Sequence, residues 1–165
     1  MAEAGGAGSG ELFVTMGKWA VAPAPTLIRT LLGSCVGVVL YDRLAKMGGV
    51  AHIVLPDSRG DTSLPGKYAD TAIPAMIADF DRQLGRKSLP RLVAKIVGGA
   101  SMFQTSTPGM NIGKQNHEAV ERILGSLGIP ILARELGGEA GRRLTLDTSS
   151  GTVSIRIPGG TDHEI

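Results

Sequence analysis

The sequence predicts an α+β layered domain, and three observations carry that prediction. About eight short strand-like runs crowd toward the two ends of the chain, two amphipathic helical stretches interrupt them, and 24 glycines in 165 residues supply the turns. Residues 1–10 are small and Gly-rich, as in a flexible tail. Glu11 to Val21 and Leu27 to Leu32 read as strands separated by the breaker Ala22-Pro23-Ala24-Pro25. Val36 to Tyr41 and Val50 to Leu55 are short, almost wholly apolar runs, the pattern of strands buried on both faces. Pro56 to Lys67 is a polar loop.

A first helix follows, with Ile73, Met76, Ile77, Phe80 and Leu84 on one face and Asp70 or Thr71 as N-cap. Pro74 is tolerated there because it falls near the first turn. Leu92 to Val97 is a strand ending at Gly98-Gly99. A second helix over about 114–127 turns Val120, Ile123, Leu124 and Leu127 inward and stops at Gly128. Ile129 to Glu135, Arg143 to Thr148 and Thr152 to Ile157 complete the strands. The expected domain therefore spans 11–158, with residues 159–165 frayed.

Composition removes several function classes. A net charge of +2 is too weak for the dense basic face of a nucleic-acid binder. One cysteine cannot form an internal disulfide, and the three histidines lack metal-ligand spacing. No apolar run approaches a membrane span, and residues 1–10 lack the features of a signal peptide. The expectation is a reduced, cytoplasmic domain without cofactor or metal.

The lone cysteine lies in Thr30-Leu31-Leu32-Gly33-Ser34-Cys35-Val36-Gly37, between two strands. A glycine before the Ser-Cys pair permits a sharp turn whose N–H groups can receive a developing oxyanion, so Gly33 and Ser34 are candidate supports for a partly accessible nucleophile. The opposing reading is a buried cysteine acting as a small hydrophobe. His52 weighs against it, since an imidazole in an apolar run needs a polar partner. A tight hairpin turn at Arg43-Leu44 would set Cys35 directly opposite His52. A loop two residues longer would set Cys35 opposite Val54, with His52 diagonal on the same face. A shift of one residue would separate them to opposite faces. A neighbouring histidine can lower a thiol pKa by several units.

Other signals fail. Gly33-Ser34-Cys35-Val36-Gly37 matches a nucleophile elbow in letters only, because a valine-rich strand follows where a helix is required. Gly109 to Lys114 is one residue short of a phosphate loop.

The stretch Thr30 to Val36 with Tyr41-Asp42, then Gly48-Gly49-Val50-Ala51-His52-Ile53-Val54-Leu55-Pro56, resembles the chemoreceptor glutamine deamidases of the CheD family. Gly66 to Ala72, Gly98 to Phe103, Asn111 to Asn116, and Gly137-Gly138 with Gly141-Arg142 extend the resemblance in order. It implies a β-sandwich core with flanking helices in αββα layers, similar to the deamidating toxins. It also implies a cofactor-free hydrolysis of receptor glutamine side chains to glutamate through a cysteine thioester. The family's catalytic cysteine and histidine carry over onto Cys35 and His52. Its threonine falls on Thr30, the only hydroxyl at the matching positions, with Ser34 and Thr26 as substitutes. Chemoreceptors and a CheC-type response-regulator phosphatase are the implied partners. The competing class is an adaptor that docks on both and has little or no catalysis.

Overall fold

The computed structural model describes residues 10–101 and 111–165. Among these described residues, ten strands form two five-stranded sheets. The first sheet orders β1 (Gly10–Phe13), β3 (Thr26–Leu32), β8 (Arg142–Asp147), β9 (Val153–Arg156) and β10 (His163–Glu164). The second orders β2 (Trp19–Pro23), β5 (Met47–Ile53), β4 (Val36–Asp42), β6 (Leu92–Gly98) and β7 (Ile131–Leu136). The helices are α1 (Ala69–Leu84) and α2 (Ile112–Ser126).

Alternation along the central strands builds two cores at once. Val39, Val50 and Val97 point toward the first sheet and pack with Ile28, Leu144, Leu146 and Ile155. Their neighbours Val38, Leu40, Ala51 and Ile96 point the other way, onto Ile73, Met76 and Phe80 of α1 and Val120 and Leu124 of α2. All residues of β4 and β5 are buried as a result, which is why both runs are apolar throughout.

Both described helices cover the same face of the second sheet, so the layers run helix, sheet, sheet and the expected αββα arrangement is corrected. The outer face of the first sheet carries Glu11, Arg29, Arg143, Ser154 and Arg156 with the exposed Phe13 and Leu31 among them, a mixed surface that neither described helix covers. The run 11–21 is also not one strand. The chain leaves the first sheet after Phe13 and enters the second at Trp19, turning through Gly17 at φ +75°. The C-terminal residues expected to fray instead pair: His163 and Glu164 lie against Ile155 and Ser154, the His163 ring contacts Glu135, and the Ile165 N–H donates to Val153 at 2.9 Å. Of the expected flexible tail, residues 1–9 lie outside the described residues, as do Gly109 and Met110 of the short glycine-lysine motif. Asn111 of that motif is the N-cap of α2, its side chain accepting from the Lys114 N–H at 3.0 Å. Helix α1 begins at Ala69, capped by Tyr68 without a side-chain bond, because Asp70 accepts instead from the Ser58 N–H and hydroxyl.

The hairpin loop fixes the register that decides which side chains of β4 and β5 share a face. Asp42 pairs with Met47, leaving a four-residue loop, Arg43 to Lys46. The Asp42 carboxylate accepts the Ala45 N–H at 3.0 Å and Lys46 takes φ +50°, closing the longer turn where a tight one at Arg43-Leu44 was the alternative. Asp42 is fully buried and held by Arg91 through Nε at 3.2 Å and Nη2 at 2.9 Å.

Two glycine substitutions test these close approaches. At Gly98, φ is +109° and a Cβ would stand 2.4 Å from the Cys35 carbonyl oxygen. Gly98→Ala is therefore expected to cost about 1–3 kcal/mol or more. Gly125 lies in α2 with open space around it, so Gly125→Ala is expected to stabilise by roughly 0.5–1 kcal/mol. Urea unfolding of the two variants beside the parent measures both signs.

Candidate active site

The site forms where the chain passes from one sheet to the other. Strand β3 ends at Leu32 in the first sheet and β4 begins at Val36 in the second, so Gly33, Ser34 and Cys35 make the crossing. Val36 pairs with Ile53 and Gly37 with His52. That is the longer-loop register: Cys35 lies one step beyond the last pair, on the His52 face and diagonal to it. Both side chains turn toward the first sheet.

From that sheet Thr30 meets His52. Thr30 Oγ1 lies 2.6 Å from His52 Nδ1 and 2.6 Å from the Val14 carbonyl oxygen, and Thr30 is fully buried. The hydroxyl has one proton, and a carbonyl can only accept, so the proton goes to Val14. Oγ1 must then accept from Nδ1–H. The neutral ring is thereby fixed with its proton on Nδ1 and a free lone pair on Nε2. Ser34 and Thr26, the substitute hydroxyls, do not share this position: the Thr26 hydroxyl donates to the Pro23 carbonyl at 2.8 Å, and Ser34 belongs to the turn.

Burial sets the charge state. His52 is 3% exposed and its pKa falls from 6.5 to about 4, chiefly by desolvation, with the Val14 carbonyl opposing the shift. Cys35 is 7% exposed, less open than its turn position implied, and burial pushes its thiol up instead of down. The resting pair is thus a neutral thiol and a neutral imidazole.

The turn is held by its carbonyls. The Gly99 N–H donates to the Cys35 oxygen at 2.9 Å and the Ala100 N–H to the Gly33 oxygen at 3.0 Å. Asn116 Nδ2 donates to the Ser34 oxygen at 3.2 Å. Behind Gly98, the buried Arg142 guanidinium donates to the carbonyls of Gly98 and Glu135, each at 3.0 Å, and to that of Gly137. Sequence reasoning gave Asn116, Arg142 and the Gly98-Gly99 pair no role. Their only signal was membership in the short motifs that carry the family resemblance. An open depression of about 530 Å³ borders the turn at Gly33, lined by Leu31, Arg143, Arg156 and Pro158. No described helix is long and apolar enough to cross a membrane.

His52 makes the fold acid-sensitive in a defined window. The unfolded chain binds the proton at pH values where the folded one does not, so the stability it affects is complete above pH 6.5 and declines toward pH 4. Between about pH 7 and 4.5 the loss should reach about 2–3 kcal/mol. Urea unfolding at both pH values should show His52→Gln without that part of the slope.

Comparison with known proteins identifies the family. The family model described as CheD chemotactic sensory transduction matches residues 54–157, beginning two residues after His52. The chain is 45% identical over 146 residues to the probable chemoreceptor glutamine deamidase CheD of Methanococcus vannielii, covering 88% of this chain and 94% of the relative. It is 47% identical over 157 residues to that of Desulforamulus reducens, covering 92% and 93%. With the chemoreceptor glutamine deamidase CheD of Thermotoga maritima it shares 45% over 151 residues, covering 91% and 94%. Among solved structures, the Bacillus licheniformis hypothetical protein YfiH aligns at a TM-score of 0.46 and 16% identity, over 71% of this chain and 49% of that one. Nearly full-length identity to these relatives, together with the family match over most of the domain, settles the kinship: the chain belongs to the CheD family.

Proposed function

We propose that this chain is a chemoreceptor glutamine deamidase in which Cys35 is the nucleophile and His52 the general base and acid. The observation that carries the reading is the Thr30–His52 bond, which leaves Nε2 bare on the face shared with Cys35. Because the thiol and the ring are both neutral at rest, the proton moves as the bond forms. Sγ attacks the carboxamide carbon while His52 Nε2 takes the thiol proton, and the oxygen gains the charge that N–H groups of the Gly33–Cys35 turn receive. Collapse of the tetrahedral adduct breaks the C–N bond, and His52 returns its proton to the departing ammonia. Water, deprotonated by the same Nε2, attacks the thioester. Glutamate and the free thiol result. Thr30 touches no reacting atom and is a positioning residue.

The preference for glutamines displayed on a protein surface over free glutamine belongs to the same reading and rests on the family resemblance. The reading extends to a CheC-type phosphatase as regulatory partner and to a cytoplasmic location, both on the strength of the family resemblance.

Receptor signalling domains incubated with the protein should gain glutamates detectable by mass spectrometry, with ammonia released in step. Cys35→Ala should reduce both to background. Thr30→Val should lower kcat by about a hundredfold at unchanged KM, and Thr30→Ser should restore it. Full deamidation by Cys35→Ala, or efficient hydrolysis of free glutamine, would overturn the assignment.

A further inference from the structure

Beyond the last pair of the β4–β5 ladder, the two strands separate, and a side chain from elsewhere spans the gap. Continuing the register would face Cys35 with Val54. In place of a ladder bond, Asn116 of α2 inserts its amide there: Nδ2 donates to the Ser34 carbonyl at 3.2 Å and to the Val54 carbonyl at 2.9 Å. One carbonyl is next to Cys35 and the other two residues from His52. Both protons of a single amide therefore tie the strand end bearing the sulfur to the strand end bearing the imidazole.

Two further features show how closely this contact is specified. Gly113, one turn before Asn116, lies so near the Gly99-Ala100 backbone that a Cβ would stand 2.5 Å from either carbonyl oxygen. That approach brings α2 close enough for a side chain as short as asparagine to reach both strands. Asn116 is also completely buried, and its Oδ1 has no hydrogen-bond partner among the described residues. A buried acceptor left unpaired weakens a fold, so stability alone does not account for an asparagine here. Nor can the amide turn over to relieve it, since Oδ1 would then face two carbonyl oxygens.

We infer that Asn116 is a positioning residue of the reaction, setting the separation of Cys35 and His52 by clamping the Ser34 and Val54 carbonyls. The inference rests on the Cys35–His52 reading above. Its test measures how strongly His52 influences Cys35, with and without the clamp. Iodoacetamide alkylation of Cys35 is timed in the parent and in His52→Gln, then in the same pair carrying Asn116→Leu. Asn116→Asp, which keeps the shape but can donate to at most one of the two carbonyls, is run in parallel in case the leucine variant does not fold, and circular dichroism melts report the folded fraction.

In the parent, His52→Gln should slow alkylation about tenfold; in either Asn116 background the effect should shrink to less than about twofold. Deamidation of receptor should lose about a hundredfold in kcat with KM within about twofold, the scale expected of a misplacement near 1 Å. A folded Asn116 variant that keeps the full His52 effect, or that raises KM and spares kcat, overturns the clamp and leaves the pair intact. If His52→Gln has no effect in the parent, the Cys35–His52 reading itself fails, and the clamp with it.

Discussion

Asp42 closes the β4–β5 loop by accepting the Ala45 N–H, and the register set there propagates along seven pairs to the far end of the hairpin. At that end it decides which side chains share a face. A slip of one residue would turn His52 toward the helices, away from Thr30, and would exchange the apolar sets of the two cores. The cores oppose such a slip because both faces of β4 and β5 are fully buried. Hairpin turn, double burial and the Thr30 contact therefore depend on one alignment.

The chemistry available to the site follows from its dryness. In water a thiol and an imidazole can exchange a proton before any substrate arrives. Here desolvation disfavours the charged form of each, raising the one pKa and lowering the other. The Thr30 hydroxyl, with its single proton committed to Val14, then determines which ring nitrogen is bare. In the proposed reaction a side chain that carries no charge thus takes the orienting place that a carboxylate holds in other triads.

Much of this was legible in the sequence, and what was not has identifiable causes. The apolar runs at 36–41 and 50–55 announced strands buried on both faces, and the choice between the two hairpin registers could be framed from loop length alone. Choosing between them required the Asp42 side chain, whose bond to the Ala45 N–H lengthens the turn. The split of residues 11–21 between two sheets was hidden because apolar residues run on both sides of the turn and a single glycine, Gly17, marks it. Residues 159–165 look polar and unpatterned, yet β9 offers them an open edge. Asn116 and Arg142 were invisible as site residues for a different reason: each acts on backbone carbonyls, and those that tie it to the Cys35 turn, Ser34 and Gly98, lie far away in sequence and leave no local spacing to read.

The bonds that hold the Cys35 turn come from Gly99, Ala100 and Asn116, with Arg142 behind them. During synthesis the ribosome delivers Thr30, Cys35 and His52 long before any of these anchors. A chain stalled or cleaved after β5 carries the three side chains on strands that nothing yet holds in place. The anchors of the turn are complete only once Arg142, at the start of β8, has been made. In the proposed reaction, a fragment that keeps Cys35 and His52 but ends before these anchors therefore lacks the bonds that hold the cysteine turn in place.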